Sequence, residues 1–221
     1  MWRQLLQPLC HDLQQTWGRP AVLGRSEAVA ASALEALKDL SLFIDSGLLP
    51  AGCTGHSNGS WHSRPLPGRF RDVVTKRTIY ANNAGLYLPG LAEFCLAALK
   101  TFQWPCAANV YASPAALEVS VPCHTDRQDV LVFQATGQKR WQVFHPPDIG
   151  DVDPLRRGKD GDVIEHLGDP LLDVVLEPGY MLYVPLGFGH RTSTYGLRGP
   201  SWHITLNLDS VIWGLSYRLR W

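Results

Sequence analysis

Apolar positions in the first part of the chain recur with helical spacing. Trp2, Leu5, Leu6, Leu9 and Leu13 fall on one side of a helix that Gly18 and Pro20 bring to an end, while Pro8 removes a backbone donor from its middle. Ser32 followed by Glu35 has capping-box spacing and predicts the start of a second helix. Half of residues 50–69 are Gly, Ser or Pro, which predicts a surface loop. A third helix is expected from Leu91 to Phe102, with Leu91, Phe94, Cys95, Ala98, Leu99 and Phe102 on one side. Short β-rich stretches follow: Asn109 to Tyr111, Val130 to Ala135, Trp141 to Phe144, Asp173 to Leu176, Tyr180 to Val184 and Trp202 to Leu208. Turns punctuate them at Gly137, His145-Pro146-Pro147, Pro178-Gly179, and Gly187 with Gly189. Residues 146–170 are polar and read as a long insertion between strands.

The pattern predicts a mainly β protein with a helical N-terminal preface, its body two packed sheets of about eight strands, a jelly-roll barrel. Residues 1–105 form the preface and the lead-in strands of the barrel domain, and 106–210 the barrel core. The apolar end, 211–221, reads as the start of a C-terminal helix. Such barrels bind small ligands at one mouth.

Composition narrows the functional classes. The 221 residues are 45% hydrophobic and 18% charged, enough for a sizeable core. Lys plus Arg equals Asp plus Glu, 20 of each, so the chain lacks the basic excess of a dedicated nucleic-acid binder. No apolar run reaches membrane-span length, and Gln4, Gln7, His11 and Asp12 interrupt any signal-peptide core. Five cysteines without close metal spacing fit reduced thiols, so an intracellular location, cytoplasmic or nuclear, is expected. Asn58-Gly59-Ser60 matches a glycosylation acceptor, which has no use without secretion. Cys53, His56 and His62 offer three zinc donors where a structural site wants four.

The strongest chemical signal is His124-Thr125-Asp126. On a strand, residues i and i+2 share a face, so the imidazole and the carboxylate can reach one ion. His190, in Pro185-Leu186-Gly187-Phe188-Gly189-His190, supplies a second imidazole. Two His and one carboxylate form the facial triad of non-haem Fe(II) oxygenases, which leaves three octahedral positions for a bidentate keto acid and dioxygen. Chance alone yields roughly half a His-x-Asp in a chain with this many His and Asp, so the surroundings must carry the assignment.

Those surroundings are Asn109-x-Tyr111, then His124-x-Asp126, then Lys139 in Gly137-Gln138-Lys139-Arg140-Trp141, then the turn into His190. In this combination the chain resembles the cupin-type JmjC oxygenases, most of all their ribosomal oxygenase branch. Trp17-Gly18-Arg19-Pro20 and Ser201-Trp202-His203-Ile204-Thr205 extend the likeness to roughly residues 10–210. The resemblance implies a double-stranded β-helix (jelly-roll/cupin) fold and Fe(2+) held by His124, Asp126 and His190. It further implies that Lys139 meets the distal carboxylate of 2-oxoglutarate and that Asn109 and Tyr111 line the cosubstrate pocket. Asn207 stands where the branch has a serine near the cosubstrate, which leaves its role open. No catalytic group beyond the metal centre is implied. His203 is expected to be a packed core histidine and not a ligand, and Arg140 to face away from Lys139.

The implied activity is that of a 2-oxoglutarate-dependent dioxygenase, a protein hydroxylase releasing succinate and CO2. By resemblance its substrate is a protein or peptide side chain, such as a His or Arg of a ribosomal protein. The alternatives are a JmjC oxygenase acting on methyl-lysine or a modified tRNA base, and a non-catalytic cupin binding module. Zero net charge weighs against nucleic acid, although Arg156, Arg157 and Lys159 offer a local basic patch.

Overall fold

The computed structural model of the chain describes residues 1–57, 60–147, 157–159, 162, 164, 166–212 and 215–216. It begins with α1 (Trp2–Thr16), β1 (Ala21–Arg25), α2 (Glu27–Ala36) and α3 (Leu40–Asp45). Next come β2 (Gly52–Ser57), β3 (Ser60–Pro65), α4 (Phe70–Val73), β4 (Ile79–Ala81) and α5 (Pro89–Phe102). The body is β5 (Cys106–Ser113), β6 (Val121–His124), β7 (Asp129–Thr136), β8 (Lys139–Val143), β9 (Leu172–Leu176), β10 (Tyr180–Val184), β11 (His190–Ser193) and β12 (Ser201–Leu208).

These last eight strands split four and four. β10-β7-β12-β5 form the middle of a large sheet, and β6-β11-β8-β9 form the facing small sheet, with antiparallel pairing throughout. β1 extends the large sheet at one edge, and β4, β2 and β3 extend it at the other. Every residue of β7 up to Ala135 is buried because both of its faces are covered. Leu131, Phe133 and Ala135 meet the helical layer, whereas Val130 and Val132 pack inward with Trp141, Val143 and Leu182. The helical layer locks on through aromatic contacts, Trp2 on Phe94 at 4.5 Å and Phe94 edge-on to Phe133 at 5.1 Å between ring centroids.

Several expectations change. The helix α1 runs straight through Pro8, because its buried stripe of Trp2, Leu6, Leu9 and Leu13 outweighs one lost backbone bond. The second helix starts five residues before Ser32, at Glu27 with Ser26 as its N-cap, so Ser32 and Glu35 lie inside it and Glu35 pairs with Lys38. The predicted loop at 50–69 is mostly the hairpin β2–β3, whose backbone completes the sheet edge. In place of a helix starting at 211, Val211–Ile212 and Leu215–Ser216 pair as a short antiparallel ribbon; residues 213, 214 and 217–221 lie outside the described residues. No helix among the described residues is long and apolar enough to cross a membrane.

Candidate metal centre

The small sheet sets two histidines side by side. His124 ends β6 and His190 opens β11, in register with each other, and their rings lie 4.2 Å apart. Asp126 lies two residues past the end of β6, so strand alternation does not place it. The chain here is tied down instead. The Asp126 carbonyl accepts from Gly187 N–H at 3.0 Å, and Gly187 has φ +78°, a conformation that glycine adopts without strain. Next to it, buried Asp129 accepts from Leu186 N–H at 3.1 Å, from the Tyr183 hydroxyl at 2.7 Å and from the Ser210 hydroxyl. The turn that delivers His190 is thus bonded to the segment that carries Asp126.

Asp126 Oδ2 comes within 3.8 Å of His124 Nε2 and 3.5 Å of His190 Nε2. One donor atom from each of the three residues fits within 4.8 Å, a grouping that can hold one metal ion. Each imidazole also has its other nitrogen occupied: His124 Nδ1 meets Pro122 O at 2.9 Å and His190 Nδ1 meets Phe188 O at 3.1 Å. A carbonyl only accepts, so Nδ1 carries the proton and Nε2 keeps the lone pair that can ligate a metal. Burial keeps both rings neutral, lowering His124 to about 3, with His190 also below its ordinary value. Against its own burial Asp126 stays ionised, well below the usual carboxylate range, and with both rings neutral the charged neighbour that favours this is Lys159. Two neutral imidazoles and one carboxylate suit a divalent metal such as Fe(2+).

The centre opens into a cavity of about 390 Å³. The inward-facing residues of β5 and β12 form one wall, where Asn109, Tyr111, His203, Thr205 and Asn207 all line it. Tyr111 and His203 are cross-strand partners with rings 5.0 Å apart and nearly parallel, at 5°. Trp141 stands edge-on to His203 at 5.3 Å and stacks on His190 at 6.0 Å, joining the two sheets. Asn109 accepts the Asn83 N–H at 2.9 Å through its side-chain oxygen, leaving its amide nitrogen as the remaining donor.

Lys139 lies outside the cavity lining. It is fully buried beside His203 and donates to Ser113 Oγ at 2.7 Å. Burial alone pulls its ammonium down to about 7, and no carboxylate of the described residues answers it. His203 is 1% exposed, and its Nδ1 has no hydrogen-bond partner among the described residues. A buried cation without an anion, beside a buried ring nitrogen without a partner, fits a small acidic molecule bound at this end of the barrel. His203 is therefore core and cavity wall at once, outside the metal group. Arg140 points the other way, onto Asp173 through two contacts of 2.6 and 2.7 Å.

Lys159 was legible only as part of a basic patch, yet its ammonium sits on Asp126 Oδ1 and lines the cavity. Arg157, instead of adding to that patch, pairs with Asp162, while Arg156 lies outside the described residues. Thr205 could have been found from the alternation of β12 with His203 and Asn207. The side chains of His56 and His62, and all of Asn58, lie outside the described residues.

Eight antiparallel strands closed over a two-histidine, one-carboxylate cluster define the class of metal-dependent oxygenase domains built on the double-stranded β-helix. More particularly, the chain belongs to the JmjC domain family, whose profile matches residues 93–212. In sequence it is similar to the "Bifunctional lysine-specific demethylase and histidyl-hydroxylase NO66" of Drosophila mojavensis, 39% identical over 127 residues, covering 57% of this chain and 14% of that protein. The Drosophila willistoni protein of the same name is 37% identical over 127 residues, covering 57% and 16%. In structure the chain is similar to Escherichia coli YcfD, with a TM-score of 0.67 and 19% identity over 91% of this chain and 53% of that one. Against YcfD, described as a ribosomal oxygenase, in complex with cobalt and 2-oxoglutarate, the TM-score is 0.63 at 20% identity, covering 92% and 52%. At these identities the structural likeness concerns the fold. The chain spans about half the length of the YcfD chains and a small part of the NO66 proteins it matches.

Proposed function

We propose that this protein is an Fe(2+)- and 2-oxoglutarate-dependent dioxygenase that hydroxylates a protein side chain. The observation that carries this reading is the His124, Asp126 and His190 cluster at a cavity, with the Lys139 cation buried behind the cavity-lining His203 and without an anion among the described residues. When bound, iron and 2-oxoglutarate supply the oxidising chemistry, in which dioxygen turns the keto acid into succinate and CO2 and a substrate carbon gains a hydroxyl.

The chain's own residues do the rest. The Pro122 and Phe188 carbonyls fix the two imidazoles in the tautomer that can ligate. Lys139 receives the distal carboxylate of 2-oxoglutarate, for which a charge-assisted bond inside a dry barrel is the strongest available partner. Tyr111, with its hydroxyl kept protonated by burial, and the Asn109 amide serve as donors along the cosubstrate, with Asn207 on the same wall. Trp141, stacked on His190, helps to keep water from the metal.

A protein substrate is supported by the names of the relatives, histidyl-hydroxylase and ribosomal oxygenase, and by the balanced charge of the chain. A His or Arg of a ribosomal protein is the first candidate. The test is mass spectrometry of ribosomal proteins incubated with the iron-loaded enzyme, with and without 2-oxoglutarate. A gain of one oxygen atom that requires the keto acid supports the reading; loss of methyl groups from lysine, or modification of tRNA alone, replaces it.

A further inference from the structure

We propose that Lys159 is a positioning residue for the metal-binding carboxylate, holding Asp126 so that only one of its oxygens can reach the ion. This rests on the metal site proposed above. The two oxygens of Asp126 have different neighbours: Oδ2 faces both histidine Nε2 atoms, while Oδ1 accepts from the Lys159 ammonium. An oxygen already bonded to an ammonium is a poor second ligand, so the carboxylate stays monodentate. The coordination count makes this matter. Three protein donors and a bidentate keto acid fill five of six octahedral positions, and a bidentate aspartate takes the sixth, where dioxygen must gain access.

The segment that delivers Lys159 is built for close docking. Thr125, the buried middle residue between His124 and Asp126, donates its N–H to Arg157 O at 3.0 Å, and its hydroxyl accepts the Arg157 N–H at 2.8 Å. Gly158, at φ +73°, lies against the same strand; a Cβ there would meet Cys123 O at 2.1 Å and His124 Cα at 2.8 Å. Asp162 closes the turn, accepting the Gly158 N–H at 2.7 Å and Arg157 Nε at 2.8 Å. The lysine is thus anchored to the backbone of the ligand motif itself, and it comes from the insertion between β8 and β9, not from the barrel.

The test compares the full chain with Lys159→Met, Lys159→Arg, Gly158→Ala and His124→Ala, each loaded with Mn(2+). Water-proton relaxation counts exchangeable waters on the ion before and after 2-oxoglutarate is added, and calorimetry gives the metal affinity. In the native protein one exchangeable water remains with 2-oxoglutarate bound. In Lys159→Met that water is lost and succinate formation falls roughly 10–100-fold, while Mn(2+) binds at least as tightly because a neighbouring positive charge is gone. Lys159→Arg keeps the water, and Gly158→Ala behaves like Lys159→Met. A Lys159→Met protein that keeps its water overturns the proposal. If His124→Ala binds Mn(2+) as the native protein does, the metal site itself is wrong, which is a separate result.

Discussion

Replacing Lys139 by Met should weaken the cosubstrate and strengthen the empty protein. Met fills a similar volume without charge, so the change isolates the ammonium. A charge-assisted bond to a carboxylate is worth about 1.5–3 kcal/mol, so 2-oxoglutarate should bind roughly 10–150-fold more weakly. Stability moves the other way. Lys139 is buried, and its pKa falls from 10.5 to about 7 with desolvation as the cause. At neutral pH that shift corresponds to a penalty on the order of 4 kcal/mol. The sign follows from proton counting: between pH 7 and 10.5 the unfolded chain binds more protons than the native one, so stability rises with pH there. The penalty is complete below about pH 7 and absent above 10.5. Calorimetric titration of the Mn(2+)-loaded protein with 2-oxoglutarate measures the first effect, and denaturant melts across this pH window measure the second. Unchanged cosubstrate affinity would refute the role given to Lys139, and an unchanged pH slope would refute the account of its burial.

Other predictions address the ligands and their supports. His124→Ala or Asp126→Ala should abolish 2-oxoglutarate turnover with far-UV circular dichroism unchanged; succinate release surviving in both would sink the triad. His203→Phe should keep Co(2+) affinity within about threefold, since its loss removes no ligand; a larger change would put His203 in the metal group. Asp129→Ala leaves the Tyr183 hydroxyl, the Leu186 N–H and the Ser210 hydroxyl unanswered. It should cost about 2–4 kcal/mol and lower the Tm by roughly 5–15 °C, and an unshifted melt would count against Asp129 as the anchor of the His190 turn. Binding to tRNA should be weak; tight binding that falls steeply with salt, with no hydroxylated protein found, would reverse the substrate class.

The sequence by itself determined what repeats at short range. Apolar spacing marked α1 and α5, and alternation with turn residues marked the six strands from Asn109 to Leu208, because burying one face of each element requires those periods. The His-x-Asp pair and the second histidine were legible through their combined motif, since β6 and β11 carry the two histidines in register and the turn before His190 bonds the segment of Asp126. Tertiary structure decided the rest. Ser32 and Glu35 have the spacing of a helix start, but the chain enters α2 at Ser26, where backbone pairing with Gly179 sets the bend. Residues 50–69 have a loop's composition and still form a hairpin, because the open edge at β4 offers unpaired backbone groups to bond. His203 alternates with Thr205 and Asn207 on β12, but only the closed barrel makes that face a cavity wall, where His203 stacks on Tyr111 of β5. Lys159 stands 33 residues from Asp126 in a polar insertion, where no period links the two. Only the docking of Arg157 and Gly158 onto Thr125 and its neighbours carries its charge to the carboxylate, and single long-range bonds of this kind, one to a backbone carbonyl and one to a hydroxyl, leave no repeating pattern from which to read them.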